Sequence, residues 1–394
     1  VSAIVAYNII LNDHQVAFMA PTEILANQHF VNFNRLLTGK KINIGLLTKG
    51  KFLFNQKVIT KQKLLRALKN HQVDLLIGTH ALIQEKVVFD SLALAIIDEQ
   101  HRFGVEQRKI LNQKSNDKNV APHFLSMTAT PIPRSLALSF YGNLDLTTIK
   151  TLPANRKKII TKVVRSKQRQ KIYQFVSQEI KAGRQVFFVC PLIDPSDKLT
   201  AKSVKEEFIF LKEKIWPQFR VGLLHGRLKM EEKEKIMNQF VDHQIDILVA
   251  TSVIEVGIDV PNASVMIIEN AERFGLAQLH QLRGRVGRGE SQSYCFLLTE
   301  KNDPKTIDRL TALTQSNNGF ELAEKDLEFR GPGEFFGVSQ SGWPEFRIAS
   351  LFDFQFLKIV NEAVKKIIDQ DPNLDNHPLL KEKVYQSRMA THLE

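Results

Sequence analysis

The sequence predicts an α/β protein with two successive parallel-sheet layers and a mostly helical C-terminal part. Apolar runs of about four to eight residues recur along the chain, and each is followed by a turn and then by a helical pattern. The runs are continuous rather than alternating, which is typical of parallel strands covered by helices on both faces. These runs are QVAFMAP, VDLLIGTH, LALAIIDE, HFLSMTATP, QVFFVCPLI, RVGLLHG, IDILVATS, SVMIIEN and SYCFLLT.

The apolar runs fall into two groups that are separated by residues 152–165, LPANRKKIITKVVR. In this stretch Pro153, an Asn-Arg turn and a cluster of charges interrupt the apolar rhythm, so we place a domain boundary near residue 155. We therefore predict a first domain at residues 1–154 and a second at 155–300. In the remaining residues, 301–394, helical spacing (TIDRLTAL, ELAEKDLEF) precedes the Gly-rich stretch RGPGEFFGVSQSG and a further helix, which predicts a third, mostly helical element.

Composition limits the classes of function. The 54 Lys+Arg residues exceed the 42 Asp+Glu residues and give a net charge of +12, which fits a polyanionic partner without identifying one. No apolar run approaches the roughly 18 residues that span a bilayer, so we expect a soluble protein with no membrane partner. The apolar residues 1–10 lack leading basic residues and predict a helix rather than a signal peptide. Cys190 and Cys295 lie in apolar contexts without CxxC spacing, which favours buried free thiols.

An acidic pair ends the third apolar run, LALAIIDEQH. Ligands of open α/β sheets bind at the carboxyl ends of the strands, so Asp98 and Glu99 are expected to project into that crevice. There Asp98 could hold Mg²⁺ and Glu99 could activate a water molecule for phosphoryl transfer. Taken alone, the pair is also compatible with a strand that simply ends in polar residues. The continuation through Gln100 and His101 makes the nucleotide interpretation more specific.

Two threonines follow the next apolar run, in SMTATPIPR. The hydroxyls of Thr128 and Thr130 can hydrogen-bond to neighbouring carboxylates, and this would couple a hydrolysis site to a moving part. Pro131 and Pro133 delay the start of the following helix. A threonine-rich turn without function is the alternative.

A basic segment, QLHQLRGRVGRGE, closes the second group of strands. We expect Gln281, Arg285 and Arg288 to lie close together on a helix start that glycines interrupt. Guanidinium groups stabilise the charge on a transferring phosphate, so these arginines are candidates for arginine fingers. A solvated basic face is the alternative, although each glycine would cost an ordinary exposed helix about 1 kcal/mol.

Seven segments in sequence order resemble the motifs of superfamily 2 helicases, whose motor consists of two tandem RecA-like domains. The resemblance implies that Pro21, Thr22, Thr79 and Thr251 contact nucleic-acid phosphates, a role that hydroxyls and exposed N–H groups perform without reading bases. The segments are APTEILANQH, GTHAL, DEQH, TATPIPR, LLHGRL, VATSVIEVGIDVP and QLRGRVGRG. Further roles that it implies are cofactor binding by Asp98, Glu99, His101, Gly257, Asp259, Arg285 and Arg288, and nucleic-acid binding or coupling by Thr128, Thr130, His225 and Glu255.

Within this superfamily the chain resembles the RecG family, most specifically through DLEFRGPGEFFGVSQSG. In that resemblance the stretch is a translocation motif in which Arg330 and Gln340 couple ATP hydrolysis to movement on duplex DNA. The resemblance implies an ATP- and Mg²⁺-dependent translocase that reverses stalled forks and branch-migrates recombination junctions. It also implies duplex and branched DNA as partners, with single-stranded DNA-binding protein as a further candidate. We expect a monomer in the bacterial cytoplasm, associated with the nucleoid.

The sequence departs from the family in one respect, because it contains no GxxxxGK[ST] segment. The mechanism needs the amides and lysine of such a loop to hold the β and γ phosphates. The resemblance places that loop immediately before Val1 and a DNA-wedge domain further upstream. We therefore expect residues 1–394 to be a truncated motor that binds ATP poorly and is inactive by itself.

Two other functions remain open at the level of sequence. A transcription-repair coupling translocase shares the translocation motif, although DEQH and AERFGLAQLHQL favour the RecG family. An ATP-independent DNA-binding scaffold with a degenerate motor would explain the missing loop. Against the scaffold, Asp98, Glu99, Gln281, Arg285 and Arg288 all have the residue types that catalysis requires.

Overall fold

A computed structural model gives the fold of the chain. It describes residues 1–99, 122–128, 157–191, 198–251, 260–336 and 354–390, together with residues 145, 147–149 and 151. Two sheets, with the helices that cover them, lie in one compact unit, and residues 318–394 belong to a second unit. None of the helices within the described residues is both long and apolar enough to cross a bilayer.

The first sheet contains seven strands among the described residues, in the order β4-β3-β2-β5-β1-β6-β7. The five strands from β2 to β7 in this order are parallel, and the pairings β2–β3 and β3–β4 are antiparallel. The strands are β1 (Gln15–Met19), β2 (Ile44–Leu47), β3 (Phe52–Phe54), β4 (Lys57–Val58), β5 (Leu75–Gly78), β6 (Leu92–Asp98) and β7 (His123–Met127).

Helices cover both faces of this sheet, and so its central strand is buried on both sides. Val16 and Phe18 of β1 pack into one apolar cluster, whereas the alternate residues Ala17 and Met19 pack into another. This arrangement explains why the strand is a continuous apolar run. The first cluster includes residues of α1 (Ser2–Leu11) and α2 (Glu23–Leu36), and the second includes residues of α3 (Lys61–Lys69) and of the 3₁₀ helix His80–Ile83.

The second sheet has six described strands, all parallel, in the order β10-β11-β9-β12-β13-β8. They are β8 (Ile160–Arg165), β9 (Gln185–Val189), β10 (Val221–Leu224), β11 (Ile247–Ala250), β12 (Ala263–Ile268) and β13 (Tyr294–Thr299). The associated helices are α4 (Arg169–Lys181), α5 (Lys198–Phe210), a π-helical turn (Leu211–Ile215), α6 (Met230–Val241) and α7 (Leu276–Arg283).

A buried glutamine begins the central strand of each sheet. The Gln15 side chain donates to the carbonyl oxygens of Leu68 and Val73 at 2.9 and 2.7 Å. In the second sheet, Gln185 donates to the carbonyl oxygens of Phe240 and Ile245 at 2.6 and 2.8 Å. Two of these acceptors, the carbonyls of Leu68 and Phe240, also accept main-chain N–H groups, so each glutamine adds a further hydrogen bond between the start of its strand and the end of a helix. The two sheets thus share the same arrangement, a buried glutamine that donates to two main-chain carbonyls.

Strand β8 lies in a stretch for which the sequence predicted no strand. Ile160–Arg165 follows the boundary placed near residue 155 and pairs in parallel with β13 at the edge of the second sheet. Along this strand exposed residues alternate with partly buried ones, and only Val164 is fully buried. The sequence did not predict this strand, because an edge strand lacks the continuous apolar pattern of the central strands.

Helices dominate the C-terminal residues, as the sequence predicts. After β13 come α8 (Pro304–Gln315), α9 (Gly319–Phe336), α10 (Phe354–Gln370) and α11 (Pro378–Ala390). Helix α9 extends beyond the predicted break at the Gly-rich stretch, because its backbone stays helical through Gly331 and Pro332. Glycine and proline cost a helix about 1 and 3 kcal/mol, amounts that tertiary packing can offset.

Both cysteines are buried free thiols, as their apolar contexts predict. Cys295 lies within β13 and Cys190 follows β9 directly. Burial raises the pKa of Cys295 to about 12, and it also raises the pKa of Cys190. Since the thiolate is the reactive form, both residues are packing residues rather than nucleophiles or metal ligands.

Candidate nucleotide and nucleic-acid site

The acidic pair lies at the carboxyl end of the parallel strand β6. Asp98 is the last residue of the strand and keeps 21% of its side chain exposed. Glu99 follows with a left-handed backbone (φ 54°) and is buried. Few residues other than glycine adopt this conformation, and it turns the chain sharply at the strand end. The two adjacent carboxylates therefore have different surroundings, one partly open and one enclosed.

A histidine that the sequence interpretation did not single out contacts Asp98. The Nε2 atom of His29, on α2, lies 2.9 Å from Asp98 Oδ2. The imidazole also packs on the ring of Phe18, with 4.5 Å between the ring centroids. His29 is the last residue of the segment APTEILANQH, which resembles a helicase motif. The contact could not be predicted from the sequence, because His29 and Asp98 are 69 residues apart.

Thr128 stands beside the acidic pair because β7 neighbours β6. Met127 is paired with Asp98 across the two strands, so Thr128 follows at the level of Glu99. The hydroxyl of Thr128 donates to Glu99 Oε2 at 3.5 Å, a long hydrogen bond. The sequence predicted a hydrogen bond of this kind between a threonine and a neighbouring carboxylate. Thr130 and His101 lie outside the described residues.

The donor set at Asp98 can be compared with the needs of Mg²⁺. The described part of the chain has no group of three or more His, Cys, Asp or Glu residues that could hold a metal ion. Mg²⁺ is usually bound through one or two carboxylates, with waters and substrate phosphates completing the shell. A single partly exposed carboxylate at Asp98 therefore fits Mg²⁺ that arrives with a nucleotide, and it does not fit a closed structural metal centre.

Three of the residues predicted to contact nucleic-acid phosphates line one cavity of about 520 Å³. Pro21 and Thr22 follow β1, and Thr79 follows β5, so all three lie at the carboxyl edge of the first sheet. Lys49 and Lys61 also line the cavity and supply positive charge that the sequence interpretation had missed. No sequence motif marks these lysines, because they reach the cavity through the β2–β3 turn and the first turn of α3.

Local geometry fixes this cavity. The Thr22 hydroxyl caps α2 by accepting from the amide of Leu25 at 3.4 Å. Gly78 immediately precedes Thr79, and a Cβ atom at Gly78 would overlap the carbonyl oxygen of Leu47 on the neighbouring strand. The absent side chain at Gly78 thus lets β2 and β5 approach closely and positions Thr79 at the cavity wall.

His225 and Thr251 lie at the carboxyl ends of neighbouring strands in the second sheet. His225 follows β10, Thr251 follows β11, and both residues are buried. Desolvation lowers the pKa of His225, and the charges of Lys205 and Lys233 lower it further. The imidazole is therefore neutral at physiological pH. The other residues predicted in this region, Glu255, Gly257 and Asp259, lie outside the described residues.

The position of the basic segment after α7 differs from the sequence prediction. Gln281, Arg285 and Arg288 were expected on a helix start, but Gln281 lies in the last turn of α7 and both arginines follow the helix. The apolar spacing of LAQLHQL belongs to the helix itself, and the glycines mark its end, where they are common. Arg285 is buried, whereas Arg288 is exposed and donates to the carbonyl oxygen of Gly284 at 3.3 Å.

Arg283 is a structural residue that the sequence interpretation missed. Its guanidinium is buried and donates to the carbonyl oxygens of Leu313 and Ser316 at 2.6 and 3.1 Å. These bonds join α7 to the end of α8. Two residues were predicted to act in translocation. Arg330 lies within α9, and Gln340 lies outside the described residues.

Three protein-family models match the chain in succession. The model for the DEAD/DEAH box helicase matches residues 1–138, and the helicase conserved C-terminal domain matches residues 167–290. Residues 316–388 match the model described as "ATP-dependent DNA helicase RecG, domain 3, C-terminal". The predicted fold class, two tandem RecA-like domains followed by a helical element, is confirmed.

Individual relatives agree with these models. Proteins named ATP-dependent DNA helicase RecG from Synechocystis and Bacillus subtilis are 50% and 45% identical to this chain. The matches cover 95% and 94% of this chain but 44% and 53% of the relatives. A solved structure of RecG bound to a three-way DNA junction matches 88% of this chain and 44% of its own, with 44% identity and a TM-score of 0.69. The chain spans about half the length of the relatives it matches.

Proposed function

This chain belongs to the RecG family of DNA helicases, and we propose that it is the motor part of an ATP-dependent translocase that moves on duplex DNA and acts on branched DNA. The observation that carries the proposal is the pair Asp98–Glu99 at the end of a parallel strand, with Thr128 beside Glu99. The domains that we propose are residues 1–154, 155–300 and 301–394.

The proposed chemistry assigns separate roles to the two carboxylates. Asp98 would hold Mg²⁺, which neutralises charge on the nucleotide phosphates. Glu99, enclosed and hydrogen-bonded to Thr128, would orient and deprotonate the attacking water. The second domain would supply Gln281, Arg285 and Arg288 to the transferring phosphate, so hydrolysis would depend on closure of the two domains. His101, Gly257 and Asp259 complete the proposed nucleotide site.

The proposed DNA track starts at the cavity of the first sheet. Pro21, Thr22 and Thr79 line it together with two lysines and one carboxylate, that of Glu23. The hydroxyls and the excess of positive charge suit a phosphate backbone. Thr251 would continue the track on the second sheet. Coupling between the track and the nucleotide is assigned to Thr128, Thr130, His225, Glu255, Arg330 and Gln340.

The biological role that we propose is the reversal of stalled replication forks and the branch migration of recombination junctions. The match of residues 316–388 to a RecG-specific model supports this role over transcription-repair coupling. The solved relative is a RecG protein bound to a three-way DNA junction, which supports branched DNA as the substrate. We further propose a monomer at the bacterial nucleoid, with single-stranded DNA-binding protein as an additional partner.

Nucleotide binding needs one part that these residues do not contain. The sequence has no GxxxxGK[ST] segment. We propose that residues 1–394 alone bind ATP weakly, and that the working motor is a form of the protein that also carries such a loop, here called the loop-containing form.

A junction-unwinding assay tests the proposed function. A three-way DNA junction with one labelled arm is incubated with the loop-containing form, ATP and Mg²⁺, and strand products are separated on a gel. We expect ATP-dependent conversion of the junction, with linear duplex of the same length left intact. Equal action on both substrates, or no action on either, would contradict the proposal.

A further inference from the structure

Helix α2 connects the cavity at Thr22 with the acidic pair. Thr22 caps its first turn and lines the cavity, while His29, seven residues later, contacts Asp98. Seven residues of α-helix span roughly 10 Å. Two sites that the proposed function assigns to different ligands are therefore attached to one short, regular element.

The contact between His29 and Asp98 is well suited to fix the carboxylate. An ionised carboxylate only accepts hydrogen bonds, so Nε2 of His29 carries the hydrogen. The bond of 2.9 Å lies in a partly enclosed place, since the two side chains are 24% and 21% exposed. Hydrogen bonds to an ionised partner are stronger than neutral ones. Among residues 1–99 and 122–128, no other hydrogen bond to the Asp98 carboxylate is present.

The imidazole is itself held in place by packing. The imidazole ring of His29 packs against Phe18 of the central strand β1. Phe18 in turn packs edge-on against Phe33, which lies on α2 like His29, with 5.3 Å between the ring centroids. Because β1 is the neighbour of β6, the ring lies between the helix and the strand that carries Asp98. A shift of α2 would therefore move the Nε2 donor relative to Asp98 Oδ2.

We propose that His29 is a positioning residue that holds Oδ2 of Asp98, so that Oδ1 would be the oxygen available to Mg²⁺, and that this orientation depends on the position of α2. DNA that occupies the cavity at Thr22 would then influence metal and nucleotide binding through His29. This inference rests on the proposed function, because it takes Asp98 as the metal-holding carboxylate.

Two substitutions separate positioning from packing. His29→Leu keeps an apolar side chain against Phe18 but removes the N–H donor. His29→Gln restores a donor on a side chain of similar reach. His14→Leu is the matched control, because His14 is exposed, precedes β1 and so lies at the opposite edge of the sheet from Asp98.

The first readout is binding rather than turnover. Binding of a fluorescent ATP analogue to the loop-containing form is measured by titration with Mg²⁺. Loss of a group that orients a metal-ligating side chain costs about 10–100-fold in metal affinity. We expect His29→Leu to raise the Mg²⁺ concentration for half-maximal binding about tenfold. His29→Gln should recover most of the difference, and the His14 variant should match the wild type.

The second readout is DNA affinity, measured by fluorescence anisotropy with and without Mg²⁺ and a non-hydrolysable ATP analogue. Because coupling between two ligands is reciprocal, His29→Leu should reduce the change in DNA affinity that the nucleotide causes. An unchanged Mg²⁺ requirement and an unchanged nucleotide effect in His29→Leu would overturn the positioning role while leaving the proposed function intact. A wild-type protein that binds no Mg²⁺-nucleotide would instead overturn both.

Discussion

At the residue scale, the two carboxylates at the end of β6 differ in their surroundings although they are adjacent in sequence. Asp98 is partly exposed and faces His29, whereas Glu99 is buried beside Thr128. The left-handed backbone at Glu99 directs the two side chains to different places. These different surroundings are compatible with the proposed roles, in which Asp98 holds a cation and Glu99 accepts a proton.

Glu99→Gln tests the assignment of the proton acceptor. Glutamine keeps the size of the side chain but cannot take up a proton, so ATP turnover by the loop-containing form should fall by roughly 10²–10⁴-fold. Steady-state phosphate release measures this, and DNA affinity should be unchanged. The same substitution at exposed Glu85 serves as the control. Turnover within a few-fold of the wild type would exclude Glu99 as the base.

His225 predicts a pH dependence of stability. Desolvation lowers its pKa, Lys205, Lys233 and Arg227 lower it further, and Glu232 opposes them. A histidine whose pKa is lower in the folded state stabilises the fold above its unfolded pKa of about 6.5, and this contribution is lost as the pH falls below that value. Urea unfolding between about pH 8 and pH 5 should therefore show a smaller loss of stability in His225→Gln than in the wild type. An identical dependence would contradict the prediction.

At the element scale, the strands that the sequence predicted include those buried along their whole length, such as β1 and β9. Strands β3, β4 and β8 were not predicted, because half-exposed strands carry no continuous apolar pattern. Strand β2 was not predicted either, although all four of its residues are buried. Most site residues were found because they follow predicted strands. His29, Lys49, Lys61 and Arg283 were not found, since long-range contacts and not local pattern give them their places.

Gly78→Ala tests the close approach of β2 and β5. The added methyl would overlap the carbonyl oxygen of Leu47, and a paired backbone cannot move away easily. We expect destabilisation of about 1–3 kcal/mol in urea unfolding. Gly50→Ala is the matched control, because a Cβ atom there meets nothing within 4 Å, and it should stay within about 0.5 kcal/mol of the wild type. Equal stabilities of the two variants would be inconsistent with the overlap.

Arg330→Ala tests whether α9 belongs to the transmission element. In the loop-containing form this change should leave DNA-stimulated ATP hydrolysis substantial while removing fork unwinding, because hydrolysis would no longer be converted into movement. Phosphate release and strand separation are measured on the same forked DNA. Lys325→Ala, on the same helix, is the control. Equal loss of both activities would argue against a coupling role for Arg330.

At the scale of the whole molecule, the chain uses one architectural plan twice. Each sheet is centred on a strand that begins with a buried glutamine, and each presents polar residues at the carboxyl ends of its strands. The sequence predicted this duplication from its two groups of apolar runs. The closure of the two domains on a shared nucleotide was expected from the candidate arginine fingers and the family resemblance. Composition and periodicity carry no information on domain closure.

The most direct test of the central claim compares ATP hydrolysis by residues 1–394 with hydrolysis by the loop-containing form, each with and without forked DNA. A motor that requires the phosphate-binding loop predicts negligible turnover by the former and turnover by the latter that forked DNA stimulates. If neither form hydrolyses ATP with forked DNA present, the chain is not part of a working motor, and a DNA-binding scaffold becomes the better account.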